Sequence, residues 1–280
     1  MDKNIFNKFF DKIFVINLFD KIQRWKKVST QFKRRKIKIE RFIAIDGRCK
    51  TQGKAGCLEK LKNFEMIYNV KIPTTGHGLK KNKTYPLEEL VPASSLSIGT
   101  ILILRAMIKY KWKYILICED DIELGRNILK KFKQGVKEIG TKGWDVLYLG
   151  CGAMCGVRGI SDKKSSVTKY KSQLGEIYDE EIYVQHKNDL RMLCDPFKCK
   201  KISNHISTIY KPGGTWCYAY SLSGAKKLLK MIKNDAGEHI DNLISKQLIG
   251  GKMKGFAFDP PIVMHEGGAL RSDSDIPWDW

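Results

Sequence analysis

The chain has 280 residues, 42% of them apolar and 10% aromatic, enough to bury a substantial core and too many for a disordered polypeptide. The 51 Lys and Arg outnumber the 30 Asp and Glu, leaving a formal charge of +21. The excess is mainly lysine, dispersed through Lys33-Arg34-Arg35-Lys36, Lys80-Lys81, Lys163-Lys164 and Lys226-Lys227, a pattern that reads as a solvated face rather than a specific nucleic-acid interface.

Near the amino terminus, Asp2, Lys3, Lys8 and Asp11 interrupt the apolar residues, so no secretory signal is expected there. The apolar run over residues 101–104 is too short to cross a bilayer. Ile13–Asn17 then reads as a short β-branched strand. Asp20 is expected to cap a helix whose buried face is Ile22, Trp25, Val28 and Phe32. A second strand over about residues 40–45 stops at Asp46-Gly47. Strand, helix and strand of these lengths predict a βαβ unit, and with it a parallel sheet.

A short helix is predicted over about 58–68, followed by a Gly-, Pro- and Lys-rich mobile loop over 73–86. Leu96, Ile98, Ile101, Leu102, Leu104 and Met107 define the next helix, ending near Tyr110. Tyr114–Cys118 is apolar on both faces, the mark of a central strand. A helix over 128–139 and a buried strand over 144–149 follow. Residues 151–210 are weakly patterned and receive no assignment. Beyond them lie a strand over 215–220, a helix over 223–232 opened by Ser221 or Ser223, and a helix over 240–249. Two apolar stretches, 256–258 and 262–264, close the pattern. Trp216 and Tyr218 are either core residues or a stacking surface for a sugar.

The eight cysteines lack a tight CxxC. The looser pairs Cys151 with Cys155 and Cys194 with Cys199 are poor zinc frames. With no secretory signal, the expectation is free thiols in a soluble protein of a reducing compartment.

Glu119, Asp120 and Asp121 follow the most buried strand directly. Open parallel sheets bind ligands at the carboxyl ends of their strands, and three adjacent carboxylates repel one another unless a cation offsets their charge. These motifs come in a familiar order: Val15-Ile16-Asn17-Leu18 with Arg24, Phe42-Ile43-Ala44-Ile45-Asp46-Gly47, Cys118-Glu119-Asp120-Asp121, Trp144-Asp145-Val146-Leu147-Tyr148-Leu149-Gly150, Gly214-Thr215 with Gly224-Ala225-Lys226-Lys227-Leu228-Leu229, Pro260-Pro261-Ile262-Val263 and Ser272-Asp273-Ser274-Asp275-Ile276. Together they make the chain resemble glycosyltransferase family 25, which holds bacterial lipooligosaccharide galactosyltransferases and procollagen hydroxylysine galactosyltransferases. Gly99-Thr100 departs from it, where Ser-His is usual, so any role of that His does not carry over.

The resemblance implies an α/β fold: a single GT-A type, Rossmann-like domain with a mainly parallel sheet flanked by helices. Residues 12–150 would form the nucleotide-sugar-binding half, and residues 151–280 the acceptor-binding and catalytic half. It further implies a UDP-sugar donor, a Mn2+ or Mg2+ ion, inversion at the anomeric carbon, and transfer of galactose or glucose to a glycan or protein acceptor. Glu119 and Asp121 would hold the metal, completed by the late His265, with Asp120 on the ribose side. Asn17, Arg24 and Asp46 are the choices for the nucleoside. Asp241 matches a family acidic position and is the candidate base; Glu238, three residues earlier, is expected on the same helical face. The alternatives are a catalytically impaired sugar-nucleotide-binding module and a basic nucleic-acid-binding protein. No specific nucleic-acid partner and no membrane span are expected.

Overall fold

A computed structural model describes residues 4–73, 86–151, 200–259 and 261–265. Residues 74–85 of the expected mobile loop, Cys155, Cys194, Cys199, most of the unassigned middle and the closing 272–276 motif lie outside the described residues.

Apolar alternation builds the first unit. β1 (Lys12–Asn17) is buried from Ile13 onward. After α2 (Ile22–Arg34), β2 (Glu40–Ile43) returns parallel to β1, with Phe14 opposite Glu40. The predicted strand–helix–strand unit is therefore present. Asp20 does not cap α2: Lys21 stands at the N-cap position, and Asp20 instead accepts two bonds from Arg48. A charge-assisted pair with a guanidinium outcompetes a weak cap. A short helix, α1 (Ile5–Phe9), precedes the unit.

The next segment corrects the thiol expectation. Cys49 and Cys57 form a disulfide, with their Cα atoms 5.2 Å apart across a 3-10 turn at Lys50–Gln52, a separation suited to such a bond. Cys151 is disulfide-bonded as well. Cystines belong to oxidising surroundings, so a reducing compartment no longer follows from the sequence. Among the described residues, Cys118 and Cys217 are the free cysteines.

α3 (Gly53–Tyr68) starts five residues before the expected helix. α4 (Leu87–Tyr110) starts nine residues early and carries Pro92 inside it. By length and composition α4 could cross a membrane, yet most of it is buried within the protein. β3 (Tyr114–Glu119), β4 (Ile122–Leu124), α5 (Ile128–Ile139) and β5 (Val146–Gly150) follow. β6 (Ile206–Thr208) falls in the stretch left unassigned. β7 (Cys217–Ser221) leads into α6 (Leu222–Ile232), whose N-cap Ser221 accepts from the Gly224 amide, 3.0 Å. α7 (Ile240–Ile249), β8 (Gly255–Phe258) and β9 (Val263–His265) complete the described fold.

The main sheet has seven strands in the order β2-β1-β3-β7-β5-β8-β6. β7 and β6 run against their neighbours; the rest are mutually parallel. Side chains alternate between two apolar layers. Ile115 and Ile117 face a layer with Leu61 of α3, Ile101 of α4, Leu228 of α6 and Leu243 of α7. Leu116 and Cys118 face the other, with Phe6 of α1, Val28 and Phe32 of α2 and Phe132 of α5. Helices on both faces of a mostly parallel sheet define a Rossmann-like α/β domain.

A small second sheet pairs β4 antiparallel with β9, placing Ile122 opposite His265. That ribbon carries the end of the described chain back to the carboxyl end of β3.

Candidate active site

β3 delivers Glu119 at its carboxyl end, with Asp120 and Asp121 in the turn before β4. Glu119 accepts from the Thr215 hydroxyl at 2.7 Å. Burial foremost, and then the charge of Asp121, push the Glu119 carboxyl up to about 7.

Asp120 turns toward the first βαβ unit. It accepts from Asn17 Nδ2 at 2.5 Å and from Arg24 at 3.5 Å. Asn17 is oriented in turn by Arg41, whose Nε donates to Asn17 Oδ1 at 2.8 Å and whose Nη2 holds the carbonyls of Leu18 and Phe19. Asn17, Arg24 and Asp120 are thus brought together. Asp46 is engaged instead by Arg48, which also spans to Asp20. The Arg48 guanidinium holds the Asp46 carboxyl below the usual range, outweighing the opposing effect of burial.

Asp121 is 8% exposed. His265 Nε2 lies 3.3 Å from its Oδ2 and Arg24 lies 3.6 Å away. Burial alone would raise this carboxyl; His265 and Arg24 more than offset that and keep it low. The other oxygen, Oδ1, is buried without a hydrogen-bond partner among the described residues. A desolvated anionic oxygen left open in this way is costly unless something positive meets it. The chemistry of Glu119, Asp121 and His265, two carboxylates and an imidazole, suits a hard or borderline divalent ion. Asp121 and His265 already touch, whereas Glu119 leans on Thr215. Among the described residues no three His, Cys, Asp or Glu side chains are preassembled as a metal cage.

On the far side of Thr215, the Gly214 amide donates to Asp241 Oδ2 and the Asn242 amide to Oδ1, both at 2.8 Å. Adjacent residues Gly214 and Thr215 therefore tie Asp241 and Glu119 into one site. The Tyr218 hydroxyl, buried between α4 and the sheet, is driven well up by that burial first and then by both Glu119 and Asp241, despite its 3.0 Å bond with Thr100. Both acids thus lie within electrostatic reach of one ring.

Glu238 does not share the helical face expected of it. α7 begins only at Ile240, with His239 at its N-cap, so Glu238 precedes the helix. Its side chain is 2% exposed and paired with Lys246, and its carbonyl accepts from Ser97. Its Oε1, like Asp121 Oδ1, is buried without a hydrogen-bond partner among the described residues. Tyr218 packs on Tyr148 as core. Trp216, nearly buried, sits 5.4 Å ring to ring from His265.

Sequence reasoning missed Thr215 and Arg41 as parts of the site. The one signal for Thr215 was its place after two glycines at the carboxyl end of the parallel strands; Arg41 carried none beyond its charge.

Acids gathered where the parallel strands of a three-layer sheet end, with a His returned to them by a separate ribbon, place the protein in the class of Rossmann-like α/β enzymes that bind ligands at the sheet's carboxyl edge. A family model described as glycosyltransferase family 25 (LPS biosynthesis protein) matches residues 10–244, and the chain belongs to that family. It is accordingly a glycosyltransferase. No curated protein matches it.

Proposed function

We propose that the protein is a metal-dependent, inverting hexosyltransferase that moves galactose or glucose from a UDP-sugar to a hydroxyl of a glycan or of a protein such as hydroxylysine. The observation that carries this reading is Asp121, whose Oδ2 meets His265 and Arg24 while its buried Oδ1 has no hydrogen-bond partner among the described residues. Asp121, Glu119 and His265 would hold Mn2+ or Mg2+, which supplies positive charge to the departing diphosphate. Asn17 and Asp120, braced by Arg24 and Arg41, form a polar wall suited to the ribose and base. Asp241, fixed by two backbone amides, keeps lone pairs to accept the acceptor's hydroxyl proton as the new glycosidic bond forms. Burial of the cluster keeps water from competing for the sugar.

The test is UDP release by the full chain, screened across UDP-sugars with manganese. Release that disappears with a chelator and in Asp121→Ala, while the melting curve of the variant is retained, supports the reading. Undiminished release under either condition overturns the metal assignment. A binding-only protein is the second reading, favoured by Gly99-Thr100: the Thr100 hydroxyl is spent on Tyr218. Manganese-dependent UDP binding without release from any donor would select it.

A further inference from the structure

We infer that Cys118 and Cys217 are a disulfide site, closing across β3 and β7 when the chain meets a small thiol–disulfide oxidant such as oxidised glutathione. The two residues face each other in the antiparallel register, with their sulfurs 3.1 Å apart. The neighbouring pair is hydrogen-bonded, since the Glu119 amide donates to the Trp216 carbonyl at 2.9 Å. Cys118 and Cys217 therefore occupy a non-hydrogen-bonded position, where facing Cα atoms lie about 4.5 Å apart and side chains come closest. That spacing falls inside the roughly 4.4–6.8 Å a disulfide spans, so the bond forms without separating the strands. Cystines elsewhere in the same chain, at Cys49–Cys57 and at Cys151, show that it accommodates such bonds.

The chemistry balances as ordinary exchange. One cysteine sulfur attacks the glutathione disulfide, forming a mixed disulfide and releasing one glutathione thiol. The second cysteine attacks the protein sulfur of that mixed disulfide and releases the other. Two protein thiols are oxidised, one glutathione disulfide is reduced, and the two protons leave on the glutathione molecules. With relative exposures of 0% and 1%, the pair is closed to glutathione in the folded sheet. The exchange runs before β3 and β7 zip together, and the finished bond is then sealed from reductants. The bond sits directly beneath the Glu119–Thr215 contact, since Cys118 precedes Glu119 and Cys217 lies two residues past Thr215. This inference is independent of the donor chemistry proposed above.

The test refolds the reduced, unfolded full chain in a buffer of oxidised and reduced glutathione, with a parallel arm in dithiothreitol. Acid quenching, alkylation and peptide mapping by mass spectrometry then report every linkage. The expected result is a Cys118–Cys217 linked peptide in the glutathione arm and both residues alkylated in the dithiothreitol arm. Cys217→Ser should lose the linked peptide and should also lose roughly 5–15 °C of the oxidation-dependent rise in melting temperature. Free, alkylated Cys118 and Cys217 after oxidative refolding, or either one joined to a different cysteine, overturns the inference. The wild-type map decides the matter even if Cys217→Ser does not fold.

Discussion

Replacing Gly150 with alanine tests how the His265 ribbon is held. Gly150 ends β5, and a Cβ built there would lie 2.1 Å from the Val263 carbonyl oxygen and 2.8 Å from its carbon. Both are backbone atoms, so no side-chain rotation relieves the clash. Ordinary contact begins near 3.4 Å, and β9 would have to withdraw by more than an ångström to reach it. The withdrawal breaks the bond from the Ile262 amide to the Leu149 carbonyl, now 2.9 Å. It also strains the three register pairs that join β9 to β4. Overpacking of this kind costs about 1–3 kcal/mol and the lost bond about 1 kcal/mol more, so we expect a loss of roughly 2–4 kcal/mol in urea unfolding. His265, two residues beyond Val263, would leave its 3.3 Å contact with Asp121. Manganese affinity measured by calorimetry should then fall by tenfold or more, about 1.4 kcal/mol. A variant with wild-type unfolding and wild-type manganese binding would refute this account of how β9 is seated.

Thr215→Val removes the hydroxyl that donates to Glu119. Bonds to charged groups contribute about 1.5–3 kcal/mol, so manganese-dependent UDP release should fall roughly tenfold to a hundredfold, read as initial rates, while the circular dichroism spectrum is unchanged. Lys246→Ala leaves Glu238 buried without its cation, and chemical denaturation should show a loss of about 2–3 kcal/mol; Glu238→Gln in the same background should recover part of it. Burial tends to raise the Glu138 carboxyl, but bonds from Ser203 and His205 prevail and lower it. The stability it contributes is present above about pH 4.5 and is lost as pH falls through the depressed folded value. Glu138→Gln should flatten that acid slope in melts between pH 6 and 3, to be run at roughly half-unit steps.

The parts of the fold legible in the sequence were those whose pattern depends on near neighbours. β1, β3 and β5 are apolar on both faces because helices cover both sides of the sheet, and they read clearly as short buried runs. α5 and α7 fell at their predicted bounds. The early turns of α4 did not read as helix, because Pro92 and the buried polar residues Ser94, Ser95 and Ser97 break the apolar period; tertiary contacts with Gly47 and Glu238 bury them instead. The acids after β3 were visible as a cluster, but what surrounds them was not. Thr215 lies 96 residues from Glu119, and the β4–β9 ribbon pairs two three-residue strands from distant parts of the chain, a long-range event that leaves no local periodicity. Glu238 was given a place on the α7 face although that helix, expected and found over 240–249, begins two residues after it. The disulfide was not legible, because the eight-residue spacing of Cys49 and Cys57 says nothing until the turn between them is seen.

The Gly214-Thr215 dipeptide has a consequence for how this enzyme can change. One of its residues steadies Asp241 by a main-chain amide, the other steadies Glu119 by a hydroxyl. The two acids are therefore steadied by adjacent residues of one short segment. Substitutions at Glu119 and Asp241 should show non-additive effects in a double-mutant cycle, and a change that shifts this segment to suit one acid will disturb the other.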